Sequence, residues 1–312
     1  MEELHLIFGT GPLGTAVMTE LLKKGKRVKM VNRSGKAEVP AGVEVVKGDI
    51  TNAESVKQLS QGVTVVYMCA QPAYTRWVEE FPALITSVIE GLSQSGAKLV
   101  FGDNLYMYGE VSGSIREDLP YTAKTRKGQT RAKVANQVLD AHRVGKIRAT
   151  IGRAADFYGP GVLDSVLGER VFYPALAGKT ASAAGNLDLP HTYSFIGDFG
   201  RGLVTLGEHE QALGQTWHTP NPPTITTREL LTLAFKEMGL PPKMSGMGKT
   251  MMRIGGLFIP EARESVEMMY EFEKPFIVDH SKFEKAFGAN PTPHREALRQ
   301  TVEWYRQHPH AK

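Results

Sequence analysis

Three glycines near the start of the chain are spaced for phosphate chemistry. Gly9, Gly11 and Gly14 form GxGxxG between an apolar run, Leu4 to Phe8, and a stretch of helical periodicity, Thr15 to Lys24. In that context the first glycine permits a tight turn and the second lets backbone approach a pyrophosphate. The third lets the helix pack closely on its strand. The loop Gly9-Thr10-Gly11-Pro12-Leu13-Gly14 therefore presents a helix N-terminus to an anion. Gly25 stops the helix and Arg27 to Val31 reads as a second strand, which completes a βαβ start. The residues after that strand choose the nucleotide. A carboxylate there would accept hydrogen bonds from a ribose 2′-hydroxyl. This chain has Asn32, Arg33, Ser34 and Lys36 instead. Two cations and a hydroxyl suit a 2′-phosphate, so NADP is expected in preference to NAD.

The elements that must position this loop follow in order. Val43 to Lys47 reads as a third strand ending at Gly48-Asp49, and Thr51 to Glu54 reads as a capping box that opens a helix. Val63 to Cys69 is β-branched and apolar, as a central parallel strand buried on both faces requires. A helix from about Trp77 to Ser95, a strand from Lys98 to Phe101, a helix from Thr130 to Val144 and a strand from Arg148 to Arg153 continue the alternation. This pattern predicts an α/β fold with a doubly wound parallel sheet, a Rossmann architecture, with ligands at the carboxyl ends of the strands. Gly102 to Gln129 is expected to be an irregular loop, and loops of that length tend to be functional. Beyond Tyr158-Gly159-Pro160-Gly161 segments shorten, a second capping box stands at Thr226 to Glu229, and methionines gather at 244, 247, 251, 252, 268 and 269. The methionines are expected to fill an irregular core. The tail from His308 to Lys312 is expected to be loose.

Composition narrows the class. At 312 residues, with 41% hydrophobic and 22% charged residues, the chain has the make-up of a soluble globular protein of one large domain or two. No leader and no apolar run of membrane-spanning length is evident, and the single cysteine, Cys69, suits a reducing cytoplasm. A net charge of +4 spread along the chain is met by anionic small molecules without invoking nucleic acid. Nine histidines lack the cysteine or carboxylate spacings of a metal site.

With these residues in view the chain resembles the short-chain dehydrogenase/reductase superfamily, nearest its extended or atypical members grouped as NAD-dependent epimerase/dehydratase proteins. The marks are the glycine motif, Gly48-Asp49, Cys69-Ala70-Gln71, Tyr106-Met107-Tyr108-Gly109, Arg153 through Gly161, Ser194 to Asp198 and Asp279 to Lys282. The resemblance implies that Asp49 and Ile50 lie near the adenine, and Cys69, Ala70 and Gln71 near the cofactor riboses. It implies a Ser or Thr, a Tyr and a Lys as machinery, the last two spaced YxxxK, with the Tyr moving a proton while hydride moves. Lys133 falls at the lysine position, where it would hold the nicotinamide ribose. Gln129 stands where the Tyr belongs and Asn104 where the hydroxyl belongs. The first glycine also sits one place later than in the GxxGxxG of extended members. Glutamine donates a hydrogen bond but cannot serve as an acid near neutral pH; Asn104 can polarise a carbonyl. A replacement acid is sought among Tyr74, Tyr106, Tyr121 and His191.

The reading is therefore a cofactor domain from Met1 to about Phe157, rejoined by about 191–207, and a substrate domain from about 158–190 and 208–312. The leading function is an NADP-dependent oxidoreductase or epimerase-like enzyme acting by hydride transfer on a small carbonyl or hydroxyl compound. The rival is a catalytically silent NADP-binding regulator or assembly factor, which the missing Tyr favours. The expected partner is a small-molecule substrate, not nucleic acid or membrane, and a homodimer is the candidate assembly.

Overall fold

Branched apolar residues in unbroken runs form buried parallel strands, and this chain has several. In the computed structural model, which describes residues 3–309, the first unit comprises residues 1–107, 126–154 and 199–219. Its strands are β1 (Leu4–Phe8), β2 (Arg27–Asn32), β3 (Glu44–Lys47), β4 (Val65–Met68), β5 (Lys98–Asp103), β6 (Arg148–Arg153) and β7 (Thr216–His218). They form one parallel sheet in the order β7-β6-β5-β4-β1-β2-β3. Every residue of β4 is buried, as a strand covered on both faces must be. The order reverses between β1 and β4, the switch point at which α/β sheets bind ligands.

Helices α1 (Pro12–Lys23), α2 (Ala53–Leu59), α3 (Trp77–Leu92), α4 (Arg126–Arg143) and α5 (Ile196–Glu208) provide the crossovers. Close packing explains some of the glycines. A Cβ on Gly14 would meet the Gly9 carbonyl oxygen at 2.1 Å, and one on Gly200 would meet the Ala16 backbone at 2.7 Å. Two expectations need correction. The cap of α2 is Asn52, whose Oδ1 accepts the Ser55 N–H at 3.0 Å. Thr51 instead donates its hydroxyl and N–H to Asp49 Oδ1, at 2.6 and 2.9 Å. The stretch from 102 to 129 is not wholly irregular either: α4 starts at Arg126, so Gln129 lies within the helix.

The second unit comprises residues 108–125, 155–198 and 220–312. It is built from short two-stranded pairings: Asp156–Tyr158 with Tyr193–Phe195, Pro190–His191 with Ile225–Thr226, and Ala181–Ala184 with Met244–Met247. Ser114–Ile115 pairs with Ile277–Val278. The capping box at Thr226 and Glu229 is present, and its helix runs from Thr227 to Met238, where Gly239 takes the left-handed conformation that ends it. Met268 and Met269 enter the core, whereas Met251 is 59% exposed, so the methionines do not act as one group. Residues 310–312 of the expected loose tail lie outside the described residues. No helix among the described residues is long and apolar enough to cross a membrane.

Candidate functional site

The glycine loop has the geometry its spacing predicts. Gly9 has φ +109°, and a Cβ there would lie 3.0 to 3.2 Å from the backbone and Cβ of Ala70, so only glycine fits. A Cβ on Gly11 would meet nothing within 4 Å. The backbone is thus bare and open where a pyrophosphate would approach. Helix α1 has Gly11 at its cap with no side-chain acceptor, and Pro12 at its first position. Pro12 has no N–H, so the first-turn amides of Leu13 and Gly14 remain for an anion. These residues fit a dinucleotide pyrophosphate.

Asn32 has a different role from the one its position suggests. Its Nδ2 donates to Thr10 Oγ1 at 2.9 Å and to the Lys36 carbonyl at 2.8 Å. Its Oδ1 accepts from the N–H and hydroxyl of Ser34, at 3.1 and 3.0 Å, and from the Gly35 N–H at 2.6 Å. The amide's hydrogen-bonding positions are taken up by the turn and by Thr10 of the glycine loop, so its side chain ties the two together. Arg33, Ser34 and Lys36 are left exposed on it. Asp49 is exposed, and the hydrogen bonds from Thr51, with Arg33 as a lesser cause, hold its carboxyl below the usual range. Ile50 follows it, half-buried. Cys69 continues β4 through its N–H to Phe8 O at 3.0 Å, and burial pushes its thiol up from the usual range.

The carboxyl ends of β4, β5 and β6 hold a buried ion cluster. Asp103 accepts from Arg131 Nη1 through Oδ1 and from Arg153 Nε through Oδ2, both at 3.1 Å. Arg131 Nη2 donates to Gln71 Oε1 at 2.5 Å. The guanidinium lies 3.9 Å from the centre of the Trp77 ring and 4.7 Å from that of Phe81. Burial lowers the proton affinity of Arg131, and Asp103 opposes that shift. One turn earlier on α4, Lys127 is 0% exposed with its Nζ 4.3 Å over the Tyr74 ring.

This cluster corrects the register read from the sequence. Gln129 and Lys133, the expected YxxxK pair, are both exposed. Two residues along a helix is a rotation of about 200°, so they project away from the face that carries Lys127 and Arg131. The inward pair at YxxxK spacing is thus Lys127 and Arg131. A helical signal could have found them: the buried residues Val134, Ala135, Val138 and Ala141 extend back at intervals of three and four to Arg131 and Lys127. Of the other candidates, Asn104 is half-buried on the β5 edge, with Oδ1 accepting the Tyr106 N–H at 3.2 Å. Tyr74 and Tyr106 both pack on Trp77, at ring distances of 4.9 and 6.1 Å. Tyr121, in the second unit, meets the Tyr108 ring edge-on at 5.7 Å.

His191 lies in the short strand Pro190–His191. It is buried in the second unit and stacks against Tyr193, Phe272 and Phe276 at 4.4, 4.9 and 4.8 Å, with Nε2 on Asp156 Oδ2 at 2.9 Å. Three rings and the Asp156 carboxylate enclose it. Glu271, also buried, has its carboxyl raised well above the usual range by burial and then by Asp156. Among the described residues no group of three or more His, Cys, Asp or Glu is placed to hold a metal.

Comparison with known proteins follows from this geometry. Residues 6–218 match the family described as NAD dependent epimerase/dehydratase. None of the curated proteins matches the chain in sequence. Among solved structures, UDP-glucuronic acid 4-epimerase from Bacillus cereus, in complex with UDP-glucuronic acid and NAD, superposes with a TM-score of 0.80 at 18% identity, covering 98% of this chain and 100% of that one. The dTDP-glucose 4,6-dehydratase of Streptomyces venezuelae, with NAD bound, gives 0.78 at 18% identity, covering 97% of each chain. The Bordetella bronchiseptica enzyme WbmH, in complex with NAD+, gives 0.73 at 17% identity, with 98% of this chain and 99% of that one covered.

Proposed function

Because the chain belongs to the NAD-dependent epimerase/dehydratase family, we propose that it is an enzyme that binds a nicotinamide dinucleotide, NADP before NAD, and acts by hydride transfer on a small carbonyl or hydroxyl compound. The observation that carries this reading is the glycine loop tied by Asn32 to a turn that displays Arg33, Ser34 and Lys36. The NAD named in the complexes of the structural relatives supports a nicotinamide dinucleotide. The absence of a carboxylate at the end of β2 favours the phosphorylated form. The first-turn amides of Leu13 and Gly14 would hold the pyrophosphate, the Arg33 turn the 2′-phosphate, and Ala70 and Gln71 the ribose side. When bound, the dinucleotide supplies the ring carbon that gives or takes hydride. Asn104 orients the substrate oxygen through its Nδ2.

Titration with NADPH and NADH tests the assignment. Arg33→Asp is expected to weaken NADPH by about 10- to 100-fold, the worth of one charge-assisted contact, and to leave NADH within about twofold. Equal losses for both nucleotides overturn the preference for NADP. A second reading, an NADP-binding regulator without turnover, is favoured by the ion cluster. On the inward face of α4 the YxxxK positions hold Lys127 and Arg131, and Arg131 is committed to Asp103 and Gln71. Tight NADPH binding with no consumption of NADPH across aldehydes, ketones and nucleotide sugars would select that reading.

A further inference from the structure

Five of the eight large apolar side chains exposed among the described residues stand in one stretch of the second unit. They are Met251, Ile254, Leu257, Phe258 and Ile259, and Leu257 and Phe258 are the most open of all, at 78% and 82%. Single exposed apolar residues need no account, but a contiguous group marks a contact surface. The fold holds this one out in a fixed shape. A helix from Lys249 to Gly255 turns at Gly256 into a second helix from Pro260 to Ser265. Gly256 is buried, and a Cβ on it would lie 2.8 Å from Arg263 Cα, so the two legs touch. On its inner side Met252 packs against the core of Ala184, Met269 and Phe272. At about 100° per residue, Met251, Ile254 and Leu257 follow one another round the outer side, and Arg253 continues the arc beyond Leu257. Phe258 and Ile259 close the tip.

Charge names the occupant. Between Glu237 and Glu261 the chain has no carboxylate, whereas Lys243, Lys249 and Arg253 all fall in that interval. Lys243 donates to the Gly178 carbonyl at 3.2 Å, and Arg253 is exposed. The carboxylate that bears on Lys249, Glu110, is already paired with Lys274. The tip is thus apolar with a cationic margin. A second copy of the chain is a poor match, because a two-fold interface lays the patch on itself and cation would meet cation. A stable protein interface takes about 20–30 residues a side, far more than this tip offers. An anionic lipid surface fits on both counts. Apolar side chains enter the acyl boundary while flanking cations stay at the headgroups.

We propose that the tip formed by residues 251–259 docks on a membrane that carries anionic headgroups, with Leu257 and Phe258 inserted and Lys249 and Arg253 at the headgroups. The expectation of no membrane partner followed from the lack of an apolar run of spanning length. It does not reach a segment that lies on the surface instead of crossing it. The docking is independent of the nucleotide chemistry of the first unit.

Flotation of the full chain with lipid vesicles tests it. Vesicles of phosphatidylcholine mixed with phosphatidylserine are compared with vesicles of phosphatidylcholine alone. The parent is expected to bind the mixed vesicles about tenfold more tightly, and less so as salt is raised. Replacing both tip residues, Leu257→Ser with Phe258→Ser, is expected to weaken binding to the mixed vesicles by about tenfold or more. Both side chains are exposed, so this variant should unfold at the temperature of the parent. Lys249→Glu with Arg253→Glu is expected to abolish the preference for phosphatidylserine. A parent that does not float, equal binding to the two kinds of vesicle, or variants that float as the parent does would each overturn the proposal. So would a parent that sediments as a dimer beside a Leu257→Ser, Phe258→Ser protein that sediments as a monomer, since a second copy would then cover the face.

Discussion

Arg33 and Lys36 lie exposed on a turn, while Lys127 and Arg131 lie buried along one face of α4, and the same unit of the protein contains both pairs. The turn is organised by a neutral amide, so its cations keep their charge available for an arriving anion. The α4 pair is organised by a carboxylate and by aromatic faces, and Arg131 is committed within the fold. Similar side chains therefore do different work. What separates them is whether the group that orders them is a neutral amide, as Asn32 is, or a buried carboxylate, as Asp103 is.

Breaking the closed cluster should have the largest effect. Asp103→Asn would leave Arg131 and Arg153 buried without their shared carboxylate, and is expected to cost about 3–5 kcal/mol of stability in urea unfolding. A loss below about 1 kcal/mol would show that the cluster is not held by charge. Glu271→Gln probes the buried carboxylate cluster of the second unit. The folded-state carboxyl of Glu271 is raised above 4.5 by burial and by Asp156. Its contribution is therefore fully present below about that pH and is lost as pH rises through the folded value. The parent should lose stability with rising pH, and Glu271→Gln should flatten that slope while costing about 1–3 kcal/mol at low pH through altered hydrogen bonding. An unchanged slope would place the pH dependence elsewhere.

The open site calls for a variant that spares the cluster. Gly14→Ala drives a methyl into the Gly9 carbonyl. It is expected to cost about 1–3 kcal/mol by overpacking and to abolish measurable NADPH binding. Retained binding would mean that the loop can shift to admit a side chain. The smallest effect is expected at Lys133→Met, because Lys133 is exposed: stability within about 0.5 kcal/mol and NADPH affinity unchanged. A tenfold loss of affinity there would restore Lys133 as a ribose contact.

The parts of this molecule set by local pattern were legible in the sequence. GxGxxG between two strands gave the loop, and the run of buried residues in β4 gave the sheet. Thr226 and Glu229 gave a helix start to the residue. The parts set by side-chain partners distant in the chain were not. On α4 the apolar spacing marks an inward face, but the partners that hold Arg131 there, Asp103 and Gln71, lie 28 and 60 residues away, and no tyrosine marked the register. His191 read as a candidate acid because Phe272 and Phe276, which enclose it, come from a remote segment. Thr51 read as a cap because its spacing to Glu54 fits a capping box, whereas in the fold its hydroxyl and N–H turn to Asp49.

The amide of Asn32 fastens the glycine loop to the basic turn, two segments 22 residues apart. A rim pinned in this way has already given up its freedom before any ligand arrives, so the entropic cost of ordering it falls on folding and not on association. The nucleotide then meets a preformed rim, and binding there should resemble a key entering a cut lock more than a hand closing on an object.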